Sequence, residues 1–370
     1  MLSVMFRKKT VAIFSMTLIA LLTLIACSKG SSTGGGENEE PGDGVDEFKS
    51  DMLKNYSDNI IIPAFTDLND KIGTLETAVH AFLDAPDQTK HNALKASFKN
   101  VYVSYQNISV AYFGPSAALL LNNYLNTFPA VPSKIEAGIQ SGNYNFNLPV
   151  SSDSIQGFPT LDYLLFSENA VAKFSDANSA NRKKYVRDIV SRIKALTANA
   201  QTQWTGSYRN SFITSLKTDV GSSIGALVNQ FAFELDAMKG PRIGWPFGKQ
   251  SNGIVFADRC EGYYSGITGD LAVANLKSLK NYFIGNSGKG ISDYLVLLKK
   301  DQLNTTVVNQ FETAISALQA IPQPTSEAFI NNAPLVEEAY KQVQKLLTLI
   351  KTDVASATGV QITYMDNDGD

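Results

Sequence analysis

The sequence predicts an all-α protein built from two packed, up-and-down helical bundles. Apolar residues recur every three or four positions in long segments, which is the spacing of one buried helix face. Such stripes occupy residues 94–112, 185–204, 224–238, 307–318 and 336–354. Alternating strand patterns are nearly absent, and residues 359–364 are the one brief candidate. The period of the apolar residues therefore indicates helices almost throughout.

The helices can be placed in order along the chain. Asp87 is a plausible N-cap for the helix of the first stripe, because its short side chain can accept a backbone N–H. The last stripe alternates by four and three residues, as in a helix packed nearly antiparallel in a bundle. A break near Gly206 gives an N-terminal bundle, 46–206, and a C-terminal bundle, 207–370. Proline- and glycine-rich segments predict loops at residues 129–132, 138–149, 240–253 and 285–290.

The amino terminus has the pattern of an export signal. Arg7, Lys8 and Lys9 precede an uncharged stretch, residues 10–26, which is also long enough to be read as a retained membrane helix. Because small residues lead directly into a cysteine at Leu24-Ile25-Ala26-Cys27, the segment resembles the lipobox of bacterial lipoproteins. We expect cleavage after residue 26 and lipidation of Cys27. This places the protein in the cell envelope, on the outer membrane or a membrane facing the periplasm.

Residues 27–45 are rich in Gly, Ser, Glu and Asp and predict a flexible tether off that membrane. The chain has 370 residues and a formal charge of −3, which argues against a nucleic-acid partner. Lipidation of Cys27 would leave Cys260 as the only free thiol. We therefore expect a fold that is stabilised by packing rather than by disulfides.

Residues able to carry chemistry are few. His80 and His91 lack a His or Cys partner at helical metal-site spacing. Cys260 beside Glu261 could be a nucleophile, although a small semi-buried thiol is the simpler interpretation. Residues 366–370 resemble the start of a calcium loop, but the distal Glu is missing and a solvated acidic tail is favoured.

Three ordered segments carry a family resemblance. Residues 105–116 contain Tyr112-Phe113-Gly114-Pro115, and residues 157–166 read Gly-Phe-Pro-Thr-Leu-Asp-Tyr-Leu-Leu-Phe. Residues 234–283 hold Trp245-Pro246-Phe247-Gly248 and Glu261-Gly262-Tyr263-Tyr264. Together these segments resemble the imelysin family of bacterial envelope proteins, which is linked to iron uptake. The resemblance implies two helical bundles whose signature segments meet at their junction.

One departure from the family pattern affects function. The family signature is Gly-x-His-x-x-Glu, and here Pro159 and Asp162 stand at the His and Glu positions. The structural interpretation is that Pro159 suits a first helical turn and that Asp162 sits early in that helix, where the dipole favours a carboxylate. The functional interpretation gives a ligand-binding cleft formed by Gly157, Asp162, Lys239, Arg242, Glu261 and Ser265. Asp162 and Glu261 would then be oxygen ligands of iron or another hard divalent cation, or polar anchors in the cleft. Lys239 and Arg242 would supply positive charge.

Three functions follow from the resemblance. The first is a non-enzymatic, lipid-anchored binding protein that assists iron or haem uptake together with other envelope iron-uptake proteins. The second is a metallopeptidase, the activity that gives the family its name. Because a metallopeptidase needs His and carboxylate ligands and a base, the loss of the motif His argues against an enzyme. The third is a scaffold or interaction lipoprotein with a vestigial cleft.

Overall fold

The computed structural model describes residues 43–148 and 152–363. They fall within one compact unit, residues 41–370. The helices are α1 (Asp43–Asn55), α2 (Ile62–Asp84), α3 (Gln88–Ser109), α4 (Pro115–Ala118), α5 (Leu121–Asn126), α6 (Pro132–Ser141), α7 (Gly157–Phe166), α8 (Ala170–Ser175), α9 (Ala180–Gln203), α10 (Arg209–Thr214), α11 (Ser223–Ala237), α12 (Trp245–Phe247), α13 (Thr268–Ile284), α14 (Ile291–Leu297), α15 (Asp301–Gln319), α16 (Thr325–Asn331), α17 (Ala333–Thr348) and α18 (Ala355–Thr358). The described residues contain no strand, so the all-α prediction is confirmed.

Wide π-helical turns connect four pairs of these helices, three of them into longer rods and one across a kink at Gly206. They are Tyr56–Ile61 between α1 and α2, Trp204–Tyr208 between α9 and α10, Met238–Gly244 between α11 and α12, and Leu349–Val354 between α17 and α18. Such turns insert an extra residue and are frequent at functional sites. The turn 238–244 is the one that matters for the site, because it places Lys239 and Arg242 in the interior.

The predicted apolar stripes form the core. α2 packs against α3 and α9, α13 lies between α3 and α15, and α17 packs against α15 and α11. The first stripe is buried from Leu94 to Ile108, and Asp87 caps its helix by accepting the Lys90 N–H at 2.8 Å. Of the helices in contact, α3 precedes Gly206 in the chain and α13 follows it. At Gly206 the backbone leaves helical geometry (φ −91°, ψ −128°), and the division into two bundles there stays a prediction.

Several predicted boundaries are wrong. Residues 240–253 do not form a loop throughout, since the π turn and α12 continue as far as Phe247. The wide turn accommodates Pro241, and Pro246 occupies the start of α12, where its missing N–H has no helical partner to lose. α6 likewise extends to Ser141. The loop at residues 285–290 is confirmed between α13 and α14.

The remaining predictions concern residues near the two ends of the chain. The signal peptide, Cys27 and the tether up to residue 42 lie outside the described residues, as does the acidic tail from residue 364. α1 begins at Asp43, inside the last residues that were assigned to the tether. Residues 359–363 form no strand, because the backbone N–H of Thr363 bonds to the Asn229 side chain at 2.7 Å instead of to a neighbouring strand. No helix of the described part has the length and hydrophobicity of a membrane span.

Candidate functional site

The start of α7 is shaped by residues without bulky or ionisable side chains. Gly157 has a positive φ of 77°, and a Cβ there would lie 2.5 Å from the Leu125 carbonyl oxygen, so only glycine fits. Pro159 is buried in the first turn of the helix, as the sequence predicted. It contributes no acid, base or metal ligand.

Asp162 is the buried acid of this helix. It lies in the second turn of α7 rather than the first, so the helix dipole does not explain it. Its Oδ2 accepts the Tyr264 N–H at 2.8 Å and its Oδ1 accepts the Ser265 N–H at 2.9 Å. Asp162 therefore ties α7 to the loop that precedes α13.

Burial governs the protonation of this carboxyl group. Loss of solvation raises the pKa of Asp162 from 3.8 to about 6, while hydrogen bonds from Ser265 and Tyr264 act in the opposite direction. The carboxylate is thus ionised at neutral pH and is stabilised there by backbone donors. Cys260, four residues before Tyr264, is also buried, and burial raises the pKa of its thiol to about 12. A thiol with that pKa is a poor nucleophile.

Glu261 is the centre of a second buried group. Its Oε1 accepts hydrogen bonds from Gln106 at 2.7 Å and Asn126 at 2.9 Å, and its Oε2 pairs with the Arg242 guanidinium. Arg242 also donates to Gln106 Oε1 at 3.0 Å. Helix α3, the end of α5, the π turn and the loop after residue 259 therefore meet at one buried ion pair.

The network continues through Glu234 and Asn275. Arg242 lies 3.6 Å from a carboxylate oxygen of Glu234, which also accepts the Asn275 amide at 3.0 Å. Burial raises the pKa of Glu234, although Arg242 and Asn275 lower it. Burial alone would lower the pKa of Arg242, but Glu261 and Glu234 outweigh it and the pKa is raised. Arg242 is therefore held as a cation between two carboxyl groups.

Four of the six predicted cleft residues form two contacts. Asp162 meets Ser265, and Arg242 meets Glu261, but no donor among the described residues bonds to both carboxylates. Lys239 lies on the same π turn as Arg242, and its ammonium is 4.0 Å from the Asp236 carboxylate.

Sequence reasoning missed four members of the network: Gln106, Asn126, Glu234 and Asn275. Each of them is wholly or largely buried, and Gln106, Glu234 and Asn275 interrupt apolar helix faces. A polar residue within an apolar stripe was the signal that could have identified them.

A pocket of about 150 Å³ opens beside Asp162. Its walls are mainly proline and aromatic side chains, with the exposed Asp258 and Arg259 at its edge. The residues that define it are Phe128, Pro132, Pro159, Asp162, Arg259 and Tyr263. This volume holds one small ligand or one side chain of a partner.

The site does not fit a peptidase metal. Pro159 supplies no ligand, and both oxygens of Asp162 already accept backbone N–H groups. Across the described residues, no three His, Cys, Asp or Glu side chains are grouped so as to hold a metal ion. His91 instead contacts the Leu165 carbonyl at 2.6 Å. The assignment of Asp162 and Glu261 as metal ligands stays a prediction.

Comparison with known proteins decides the family. The family model for imelysin matches residues 61–352, which is most of the chain. The chain belongs to the imelysin family. Within this imelysin-family chain, the Pro-x-x-Asp variant of the signature coincides with the start and second turn of α7. No curated protein matches the chain in sequence.

Two solved structures share the imelysin fold seen here. One is described as an iron-regulated protein A precursor from Parabacteroides distasonis ATCC 8503, with 17% identity, a TM-score of 0.74, and coverage of 87% of this chain and 97% of that one. The other is an imelysin-like protein from Psychrobacter arcticum 273-4, with 16% identity, a TM-score of 0.69, and coverage of 86% and 98%. At these identities the likeness concerns the fold.

Proposed function

We propose that this imelysin-family chain is a non-enzymatic, lipid-anchored binding protein of the cell envelope that takes part in iron or haem uptake. One observation carries the proposal: both oxygens of Asp162, the acid of the family signature, are bonded to backbone N–H groups of the loop before α13. Two of the four acceptor positions of this carboxylate are thereby used to hold the loop. The signature here holds a loop and shapes a pocket, which favours binding over catalysis.

The iron and envelope parts of the proposal have separate support. One structural neighbour is described as iron-regulated, and the family resemblance links such proteins to iron uptake. The Leu24-Ile25-Ala26-Cys27 segment predicts lipidation and hence a membrane partner. Envelope iron-uptake proteins are the further partners that we propose on this basis.

A scaffold lipoprotein with a vestigial cleft is the second candidate. The observation in its favour is that Glu261, like Asp162, has both oxygens engaged by protein donors. In that case the polar network would serve folding alone. The metallopeptidase alternative has less support, because Pro159 cannot replace the signature histidine.

Calorimetry separates the first two candidates. Residues 28–370, the chain after the predicted lipidated cysteine, would be titrated with ferrous, ferric and calcium ions and with haemin. The proposal predicts micromolar binding of an iron ion or of haemin, and we expect binding of the ion to weaken in Asp162→Ala, because the pocket beside this residue loses its anchored wall. Asp70→Ala, at an exposed acid outside the pocket, is the control and should bind like the wild type. The absence of binding heat with every titrant would favour the scaffold function.

A further inference from the structure

A second and larger groove lies between α2, α3, α13 and the end of α15. It encloses about 680 Å³ and shares no lining residue with the pocket beside Asp162. That volume is within the range of small-molecule sites, which combine an apolar floor with a few polar groups. From its floor and its charges, we propose that this groove binds a free anionic amphiphile with the chemistry of a fatty acid.

The floor of the groove is apolar. Leu318 and Ile321 are buried beneath it, while Val103 and Val273 remain half-buried and present apolar surface to the opening. Ala274 keeps the floor open because its side chain is only a methyl group. An acyl chain lying on these side chains would remove apolar surface from water on both partners, which is favourable in proportion to the area buried.

The rim of the groove is positively charged, although the whole chain carries −3. Lys99 pairs with Asp270 at 2.6 Å, and Lys71 pairs with Asp67 outside the lining. The exposed Lys277 makes no ion pair among the described residues. It therefore supplies one cation that an anionic headgroup can neutralise.

The position of Lys277 matches the floor. It follows Val273 by four residues and Ala274 by three on α13, so the three side chains share one helix face. The ammonium then stands beside the apolar surface, as an amphiphile with one charged end requires. A polyanion would need several uncompensated cations, and this rim offers one.

Neutral donors lie near the same rim. Asn100, Gln319 and Gln323 contribute side-chain amides to the lining. The Gln323 amide crosses directly over Gly269, where an added Cβ would lie 1.8 Å from its nitrogen. Gly269 therefore leaves room for an amide that can donate to a carboxylate.

Dodecanoate is the probe that tests this proposal. Residues 28–370 would be titrated with dodecanoate in competition with the fluorescent anion 1-anilinonaphthalene-8-sulfonate, and separately with dodecanol. We expect saturable binding of one dodecanoate per chain, with dodecanol bound about tenfold more weakly because it lacks the charge.

Two variants locate the site. Lys277→Glu should weaken dodecanoate binding about tenfold, because attraction is replaced by repulsion. Ala274→Phe should also weaken it by filling the floor; if that variant does not fold, Lys277→Glu decides alone. Lys300→Glu, the same charge change on an exposed lysine outside the groove, should bind like the wild type.

Three results would overturn the proposal. Equal affinity for dodecanol and dodecanoate would remove the role of the charge. Equal effects of Lys277→Glu and Lys300→Glu would place the anion elsewhere. Binding to vesicles containing phosphatidylglycerol without any binding of free dodecanoate would indicate a lipid surface rather than a single amphiphile.

Discussion

Asp162 accepts a hydrogen bond from the backbone N–H of Ser265 at 2.9 Å, across 103 residues of sequence. The neighbouring Tyr264 N–H bonds to the other oxygen of the same carboxylate. Through these two bonds Asp162, the acid of the imelysin signature, fixes the position of the loop before α13. We call this pair of bonds the clamp. The loop in turn carries Glu261, whose carboxylate closes the buried network with Arg242.

Removal of the clamp should destabilise the protein. Asp162→Ala leaves the Tyr264 and Ser265 N–H groups without their acceptor, and we expect a loss of about 2 kcal/mol in the free energy of unfolding. Urea denaturation at neutral pH measures it. Asp258→Ala, at a nearby exposed acid, should change stability by no more than about 0.5 kcal/mol. Equal effects of the two substitutions would contradict the assignment.

The pH dependence of stability should reveal the burial of Asp162. Its pKa is about 6 in the folded protein against 3.8 ordinarily, so between these values the folded state binds more protons than the unfolded state. The contribution of this group therefore falls as pH rises, by at most about 1.4 kcal/mol per unit. The stability advantage of the wild type over Asp162→Asn should shrink from pH 4 to 6 and then level off. An advantage that grows over this range would refute the prediction.

The buried ion pair should matter far more than a surface pair. Arg242→Met leaves Glu261 and Glu234 without their cation, and we expect a loss of about 3–5 kcal/mol in unfolding free energy. Arg187→Met breaks an exposed pair with Asp84 and should cost about 1 kcal/mol or less. Denaturant titration of both variants makes the comparison. Similar losses would mean that the network does not act as a buried unit.

Peptidase activity should be absent. Pro159 stands at the signature His position, and both oxygens of Asp162 are engaged, so we expect no cleavage of peptide substrates that a chelator abolishes. The assay uses residues 28–370 with and without added divalent metal. Chelator-sensitive cleavage that disappears in Glu261→Gln would establish the metallopeptidase alternative.

Membrane attachment should depend on one cysteine. Cys27→Ser removes the predicted lipidation site, and acyl chains are what would hold the protein at the bilayer. We expect the variant to leave the membrane fraction or to remain unprocessed. Normal processing together with sedimentation in the membrane fraction would show that the lipobox assignment is wrong.

The helices were predictable because a helix with one buried face has apolar residues at every third or fourth position. The stripe from Leu94 to Ile108 and the cap at Asp87 needed no tertiary information. The helical path through Pro241 was not predictable, because a proline ends an ordinary helix and only the wide π turn accommodates it. Local sequence rules therefore predicted the helices but not the turn in which a helical path continues through a proline.

The site was only partly predictable for a related reason. Its residues are far apart in sequence, and the resemblance to the family supplied Asp162, Arg242 and Glu261. The partners of these groups include Gln106 on α3 and Asn275 on α13. These two side chains come together only because α3 packs on α13. A sequence pattern cannot show which donors a buried carboxylate already has.

Growth under iron limitation would show whether this protein takes part in iron or haem uptake. A strain of the source organism lacking this gene would be complemented with the wild-type gene or with Cys27→Ser and grown in chelator-treated medium. We predict that the deletion strain grows more slowly than the wild type. The wild-type gene or added iron should restore its growth, and the Cys27→Ser gene should restore little of it. Growth of the deletion strain that equals the wild type at every iron concentration would contradict a role in iron or haem uptake.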